Sequence, residues 1–275
     1  MGYIKFNAPV KHLKGSKERY FMDDVLISNL NIVKKASALD WDFVFCVDGI
    51  EGVGKSIFSQ QLAYYLDPTI DISRVCFSGK EFIKACINAK QYQAVIFDEA
   101  ITGSNIRETM NEVNIAIMRM LGMIRQKKLY IIIVLPSFYD IDRYIALWRS
   151  RAVFHIYAKS YSDRGYFMCY KEKKNYMWIR YRKYYYYGEK YADFRGIFTN
   201  VYTIPEEEYR KKKADVLLTI ADDPKEKKRE ERGTKWKEQR DILIINLKKF
   251  ISAKEIAKLL ELDKQTIYDV IKGGL

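Results

Sequence analysis

Asp48-Gly49-Ile50-Glu51-Gly52-Val53-Gly54-Lys55-Ser56 decides how this chain reads. Residues 49 to 56 fit GxxxxGK[ST] without a mismatch, and the flanks suit the motif. The apolar run Phe43-Val44-Phe45-Cys46-Val47 predicts a buried parallel strand, and Ile57-Phe58-Ser59-Gln60-Gln61-Leu62-Ala63-Tyr64-Tyr65-Leu66 has helical spacing. Strand, glycine loop and helix is the order in which backbone N–H groups and a helix start converge on phosphate. Glycine removes the Cβ that would keep the backbone away from the anion. Gly49, Ile50, Glu51, Gly52, Val53, Gly54, Lys55, Ser56 and Ile57 are therefore the expected contacts of a nucleotide's phosphates. Lys55 would reach the β and γ phosphates and the Ser56 hydroxyl would ligate Mg²⁺.

About 45 residues on, Gln93-Ala94-Val95-Ile96-Phe97-Asp98-Glu99-Ala100 is an apolar strand ending in two carboxylates. Such a strand suits a place beside the loop. Asp98 would hold Mg²⁺ through its water shell, and Glu99 would polarise the water that attacks the γ-phosphate.

Together the two motifs, the first Walker A and the second Walker B, resemble the additional-strand catalytic-glutamate division of P-loop ATPases, over roughly residues 40 to 160. The basic helix end Arg125-Gln126-Lys127-Lys128 is followed by the strand Tyr130-Ile131-Ile132-Ile133-Val134-Leu135. Pro136-Ser137 and Asp140-Ile141-Asp142-Arg143-Tyr144 come next. That order is similar to DNA-pumping ATPases of the FtsK and HerA kind and to the zonula-occludens-toxin-like phage assembly ATPases. The resemblance implies a polar γ-phosphate sensor at the end of this strand, for which Ser137 is the residue available here. It also implies sites closed between subunits, with a guanidinium supplied by a neighbouring copy. Arg119, Arg125, Arg143, Arg149 and Arg151 are the candidates, and Arg143 is the preferred one.

The 275 residues suffice for one α/β domain and a small module. Lys and Arg number 48 against 35 Asp and Glu, a formal charge of +13. That balance favours anionic partners such as DNA, and it also suits a merely soluble surface. Cys46, Cys76, Cys86 and Cys169 form no CxxC pair and lie in apolar stretches, so they read as reduced core thiols. With His12 and His155 the only histidines, a zinc site is not expected. No run reaches the 18 or so apolar residues of a membrane helix, and the N-terminus lacks an apolar signal region. The expectation is a cytoplasmic protein, in a host's cytoplasm if viral.

Beyond the two motifs, residues 20 to 38 predict a helix, Ser73-Arg74-Val75-Cys76-Phe77 a strand, Gly79 to Ala89 a helix, and Asn105 to Gln126 a long amphipathic helix. In that long helix Ile106, Met110, Val113, Ile117, Met120 or Leu121 and Ile124 form the apolar stripe. Ala152 to Tyr157 reads as a fifth strand. Strands alternating with helices predict an α/β, mostly parallel sheet flanked by helices. Within 161–191, Tyr166-Phe167-Met168-Cys169-Tyr170, the turn Lys171 to Asn175 and Tyr176-Met177-Trp178-Ile179-Arg180-Tyr181-Arg182 predict a β-hairpin insertion. Its tyrosines, with Tyr184 to Tyr187 and nearby Lys183 and Lys190, read equally as a stacking surface for single-stranded nucleic acid or as ordinary strand residues.

Three segments result: 1–204 as the nucleotide domain, 205–240 as a charged helical linker, and 241–275 as a small all-α module. The last begins with an apolar helix, Ile242 to Phe250. It continues with the capping box Ser252-Ala253-Lys254-Glu255, a turn at Glu261-Leu262-Asp263 and a helix from Thr266. This arrangement resembles a DNA-binding helix-turn-helix, in which Lys264, Gln265, Thr266 and Tyr268 would face bases or phosphates and Lys272 the backbone. A helical hairpin for protein contacts is the other reading. The expectation is a Mg²⁺-dependent, oligomeric ATPase acting on DNA during packaging, translocation or replication in a viral or mobile-element setting. Two alternatives stand beside it. One is a nucleotide kinase of thymidylate-kinase type, whose loop Asp48 to Ser56 also resembles, and the other is a nucleotide-switched DNA-binding regulator.

Overall fold

In the computed structural model, residues 20–98, 106–221, 237 and 239–273 are described. Continuous apolar runs become strands buried on both faces, as parallel strands must be. They are β1 (Phe43–Asp48), β2 (Val75–Cys76), β3 (Ala94–Asp98), β4 (Tyr130–Val134), β5 (Ser150–Tyr157), β6 (Tyr166–Tyr170) and β7 (Phe194–Ile197). They make one sheet in the order β2-β3-β4-β1-β5-β6-β7. The first five are parallel, while β6 runs antiparallel to β5 and β7 antiparallel to β6. β4 thus lies between β1 and β3, and both of those strands end at the same edge.

Alternation along each strand divides the core into two faces. Phe43, Phe45 and Val47 of β1 join Ala94, Ile96, Tyr130 and Ile132 on one face. Val44 and Cys46 join Val95, Phe97, Ile131 and Ile133 on the other. Helices α1 (Asp24–Ala38) and α2 (Lys55–Leu66) cover the first face through Leu26, Leu30, Phe58 and Leu62. Helices α3 (Gly79–Asn88) and α4 (Ile106–Lys127) cover the second through Phe82, Ile117, Met120 and Ile124. The result is an α/β fold with a seven-stranded, mostly parallel sheet flanked by helices. Of the stripe expected on α4, Ile117, Met120 and Ile124 are buried, and the side chains of Ile106, Met110 and Val113 lie outside the described residues. Cys46, Cys76, Cys86 and Cys169 are all buried and free.

One expectation is corrected. Tyr176 to Arg182 is not the second strand of a hairpin, because Lys174–Tyr181 is helix α5 and β6 pairs with β5 and β7 instead. Met177 and Trp178 are adjacent and both buried, while Tyr176, Ile179 and Arg180 are exposed. Neighbouring residues share a side only on a helix, since a strand sends them to opposite faces. Aromatic residues favour strands, but packing of Met177 and Trp178 of α5 on the second core face overrides that preference.

One compact unit runs to Leu217 and a second spans Leu218–Leu275. Helix α6 (Glu206–Ala221) begins in the first, so part of the segment expected as a linker folds with the sheet domain. The second unit contains α7 (239–248), α8 (Ala253–Leu259) and α9 (Lys264–Gly273) around Ile244, Ile256 and Ile267. Ser252 and Glu255 form the capping box of α8. Glu261, in the turn to α9, takes the left-handed conformation (φ 52°). No helix among the described residues is long and apolar enough to cross a membrane.

Candidate functional site

The Gly49–Ser56 loop leaves the end of β1 and turns into α2. Gly49, Gly52 and Gly54 have φ of 141°, 78° and 102°. At Gly49 the demand is also steric, because a Cβ there would lie 2.2 Å from the Ile156 carbonyl oxygen. Gly54 is the N-cap of α2 and, having no side chain, supplies no cap to it. The start of α2 therefore presents N–H groups that its N-cap leaves uncapped, together with the positive end of the helix dipole. The Lys55 ammonium folds back onto the loop, donating to the carbonyl oxygens of Gly49 and, at 3.0 Å, Ile50. Burial lowers its pKa, the carboxylates of Asp48, Asp98 and Glu51 oppose that shift, and Lys213 adds to it. Val53 and Ile57 are buried anchors, whereas Ile50 and Glu51 are exposed.

Beneath the loop its root is fastened by a buried network. Asp48, with no exposed surface, accepts from Phe138 N at 2.7 Å, from the Tyr187 hydroxyl, and bonds His155 Nδ1 at 2.9 Å. The His155 and Tyr187 rings stack at 3.9 Å. Ser137 belongs to this network, since its Oγ pairs with the Tyr187 hydroxyl at 3.0 Å and accepts from Tyr139 N at 3.2 Å. Burial and the Asp48 carboxylate raise the Tyr187 pKa well above the ordinary tyrosine value, keeping the hydroxyl a neutral donor.

Above the loop lies a cavity of about 1140 Å³, whose lining includes Lys55, Ser56, Asp98, Tyr202, Tyr209 and Lys213. The last two come from α6. Tyr209 is buried, and its hydroxyl donates to Asp98 Oδ2 at 2.6 Å and is hydrogen-bonded to the Ser56 side chain. Burial, then the Asp98 charge, raises its pKa. A hydroxyl and a carboxylate thus flank one small polar position, an all-oxygen donor pair of the kind hard cations take. Ser56 and Asp98 are the residues that would hold a magnesium ion, and here both are hydrogen-bonded to the Tyr209 hydroxyl. The segment entering α6 is gripped by α2, for Gln61 Nε2 donates to the carbonyls of Thr199 and Val201 at 2.6 and 2.8 Å.

Of the expected site residues, the structure brings together Glu51, Gly52, Val53, Gly54, Lys55, Ser56, Ile57 and Asp98 around the cavity, while Gly49 and Ile50 do not line it. Glu99 lies outside the described residues. Ser137 faces the buried network, and Arg143 is exposed. Arg119 and Arg125 are exposed on α4. Arg149 is paired with Asp42 and Arg151 lies over the Trp41 ring at 4.9 Å, at the end of the sheet opposite the loop. Sequence reasoning missed Tyr202, Tyr209, Lys213 and Arg164, whose Nη1 donates to the Gly52 carbonyl at 3.0 Å. The one signal was a lone tyrosine in the charged run Glu206 to Lys213. No family model, curated protein or solved structure matches the chain.

Proposed function

We propose that this chain is a Mg²⁺-dependent ATPase of the P-loop type that acts on DNA through its C-terminal helices. The observation that carries the reading is the meeting of three left-handed glycines, the uncapped start of α2, Lys55, Ser56 and Asp98 around one cavity. The position of β4 between β1 and β3 supports the resemblance to the additional-strand division. In this reading the loop N–H groups and Lys55 exchange their present partners for phosphate oxygens. Ser56 and Asp98 hold the metal, which when bound supplies charge neutralisation to the phosphates. Glu99, next after the end of β3, orients and polarises the attacking water. For DNA, α9 exposes Lys264, Gln265, Tyr268 and Lys272 while Ile267 holds it to the unit's core. Exposed cations beside an aromatic and an amide suit phosphate and base-edge contacts. Assembly with Arg143 reaching a second copy's site belongs to the same proposal, and the exposure of Arg143 is compatible with it.

A nucleotide-switched DNA-binding regulator is the second reading, favoured by the Tyr209 hydroxyl between Ser56 and Asp98. That contact closes the metal position at rest. Both readings are tested by ATP binding and hydrolysis with and without DNA, using the full chain, Lys55→Ala, Glu99→Gln and a truncation after Arg240. Lys55→Ala should abolish binding or turnover, and Glu99→Gln should keep ATP bound but slow hydrolysis by on the order of 10². Truncation should remove DNA affinity and its steep salt dependence while sparing basal hydrolysis. Undiminished turnover in Lys55→Ala would sink the ATPase reading. Tight ATP binding with negligible turnover in the full chain would select the regulator.

A further inference from the structure

Helix α6 carries the basic run Arg210 to Lys213 within about one turn, and three of these side chains have different fates. Arg210 is exposed and paired with Glu206 at 2.6 Å. Lys212 is used up in docking the helix, donating to the carbonyls of Ile72 and Val75 at 3.2 and 2.5 Å with Glu81 at 3.5 Å. Lys213 is different. It sits one turn beyond Tyr209, is half-buried, and lines the same cavity as Lys55. Among the described residues no carboxylate pairs with it, and its ammonium lies 6.0 Å from the Tyr209 ring centre. Two lysines therefore face one cavity, from the loop below and from α6 above. Like charges brought to one partly desolvated space repel unless an anion lies between them. Burial is the main reason the Lys55 pKa is lowered, and Lys213 adds a smaller push in the same direction.

We infer that Lys213 is a second phosphate-binding cation, supplied by the chain to its own site, which grips the terminal phosphates of a nucleoside polyphosphate from the side opposite Lys55. This inference rests on the nucleotide reading above and deepens it. Tyr209 fixes the helix by bonding Asp98, and Lys213, four residues on, projects from the same face. A nucleoside triphosphate spreads its charge over several oxygens and satisfies both lysines at once. A monophosphate reaches only one. Discrimination by phosphate number is then a property of one chain, with no neighbouring subunit needed for it.

The test measures affinities of the full-length protein for fluorescent nucleoside mono- and triphosphates in Mg²⁺, by anisotropy. Lys213→Ala should weaken triphosphate binding by about 10- to 100-fold, the range of one charge-assisted hydrogen bond, and leave monophosphate binding nearly unchanged. Lys213→Arg should recover most of the loss. Unchanged triphosphate affinity in Lys213→Ala, with Lys55→Ala still abolishing it, overturns the inference and leaves the nucleotide reading standing. Equal weakening for mono- and triphosphate also overturns it, because it would signal a general effect on the cavity. Failure of the unaltered protein to bind any nucleotide overturns the nucleotide reading itself.

Discussion

The floor and the roof of the cavity are held in opposite ways. Under the loop, Asp48 is wholly buried and every one of its bonds runs to a different segment: Phe138 after β4, His155 on β5, and Tyr187 beyond α5. Over the loop, α6 is attached at the cavity by the Tyr209 hydroxyl, and its Lys213 has no carboxylate partner among the described residues. A group buried in a saturated network cannot change partners without cost, whereas a hydroxyl and an unpaired ammonium at a solvent-filled cavity can. The contrast teaches that the two sides of the cavity are held differently: the root of the loop sits in a network shared by several segments, whereas the groups that face the cavity from α6 have fewer partners to exchange.

Three measurements break or sharpen that comparison. Asp48→Ala has the largest expected effect, because the carboxylate answers three donors at once: without it the Phe138 N–H and the Tyr187 hydroxyl keep only each other and Ser137 Oγ, and His155 Nδ1 loses its partner. Loss of about 3 to 5 kcal/mol of stability is expected in urea unfolding, and a loss below about 1 kcal/mol would show that the floor is no stiffer than the roof. A comparison of lysines comes next. Lys174 is buried like the floor, and its ammonium is answered by the carbonyls of Ala146 and Leu147 and by Asn175 Oδ1 at 3.0, 3.4 and 2.6 Å. Burial lowers its pKa from 10.5 to about 8. The folded state therefore binds the proton less tightly than the unfolded chain, so the charged form costs stability fully below pH 8. That cost is relieved as pH rises from about 8 toward 10.5. The stability difference between the parent and Lys174→Met should shift in the parent's favour across that window, by on the order of 2 to 3 kcal/mol. A flat difference would mean that Lys174 is solvated. Smallest is Tyr209→Phe, which removes one hydroxyl from the roof. It should cost about 1 to 2 kcal/mol of stability while tightening Mg²⁺-dependent nucleotide binding, because Ser56 and Asp98 are then free. Weaker binding would instead make that hydroxyl part of the occupied site.

The parallel half of the sheet was legible because its physics is local. Phe43 to Val47, Ala94 to Phe97 and Tyr130 to Val134 are unbroken apolar runs, which only a strand covered on both faces requires, and the loop motif has fixed spacing. The antiparallel end was not. Phe194–Ile197 is short, with alternating partial exposure, and its pairing with β6 is decided by contacts distant in sequence. Tyr176 to Arg182 misled because aromatic content resembles strand propensity until burial of Met177 beside Trp178 reveals a helical face. At the site, Lys55, Ser56 and Asp98 were readable from motifs, whereas Tyr209 and Lys213 were hidden in a run whose charge density describes a solvated helix. Their role depends on tertiary docking of α6, which α2 secures through Gln61 and which no local pattern encodes.

Helix α6 is 16 residues long, about 24 Å at the usual rise per residue. Along it the contacts with the sheet domain follow one another: the Tyr209 hydroxyl on Asp98, the Lys212 ammonium on the carbonyls of Ile72 and Val75, and Val216 against the first core face. A helix seated at successive turns is a splint. It ties the end of β3, at Asp98, to the segment around β2, so that exchange of the Tyr209 contact is opposed by the other two, and the orientation of α6 is set by all three together.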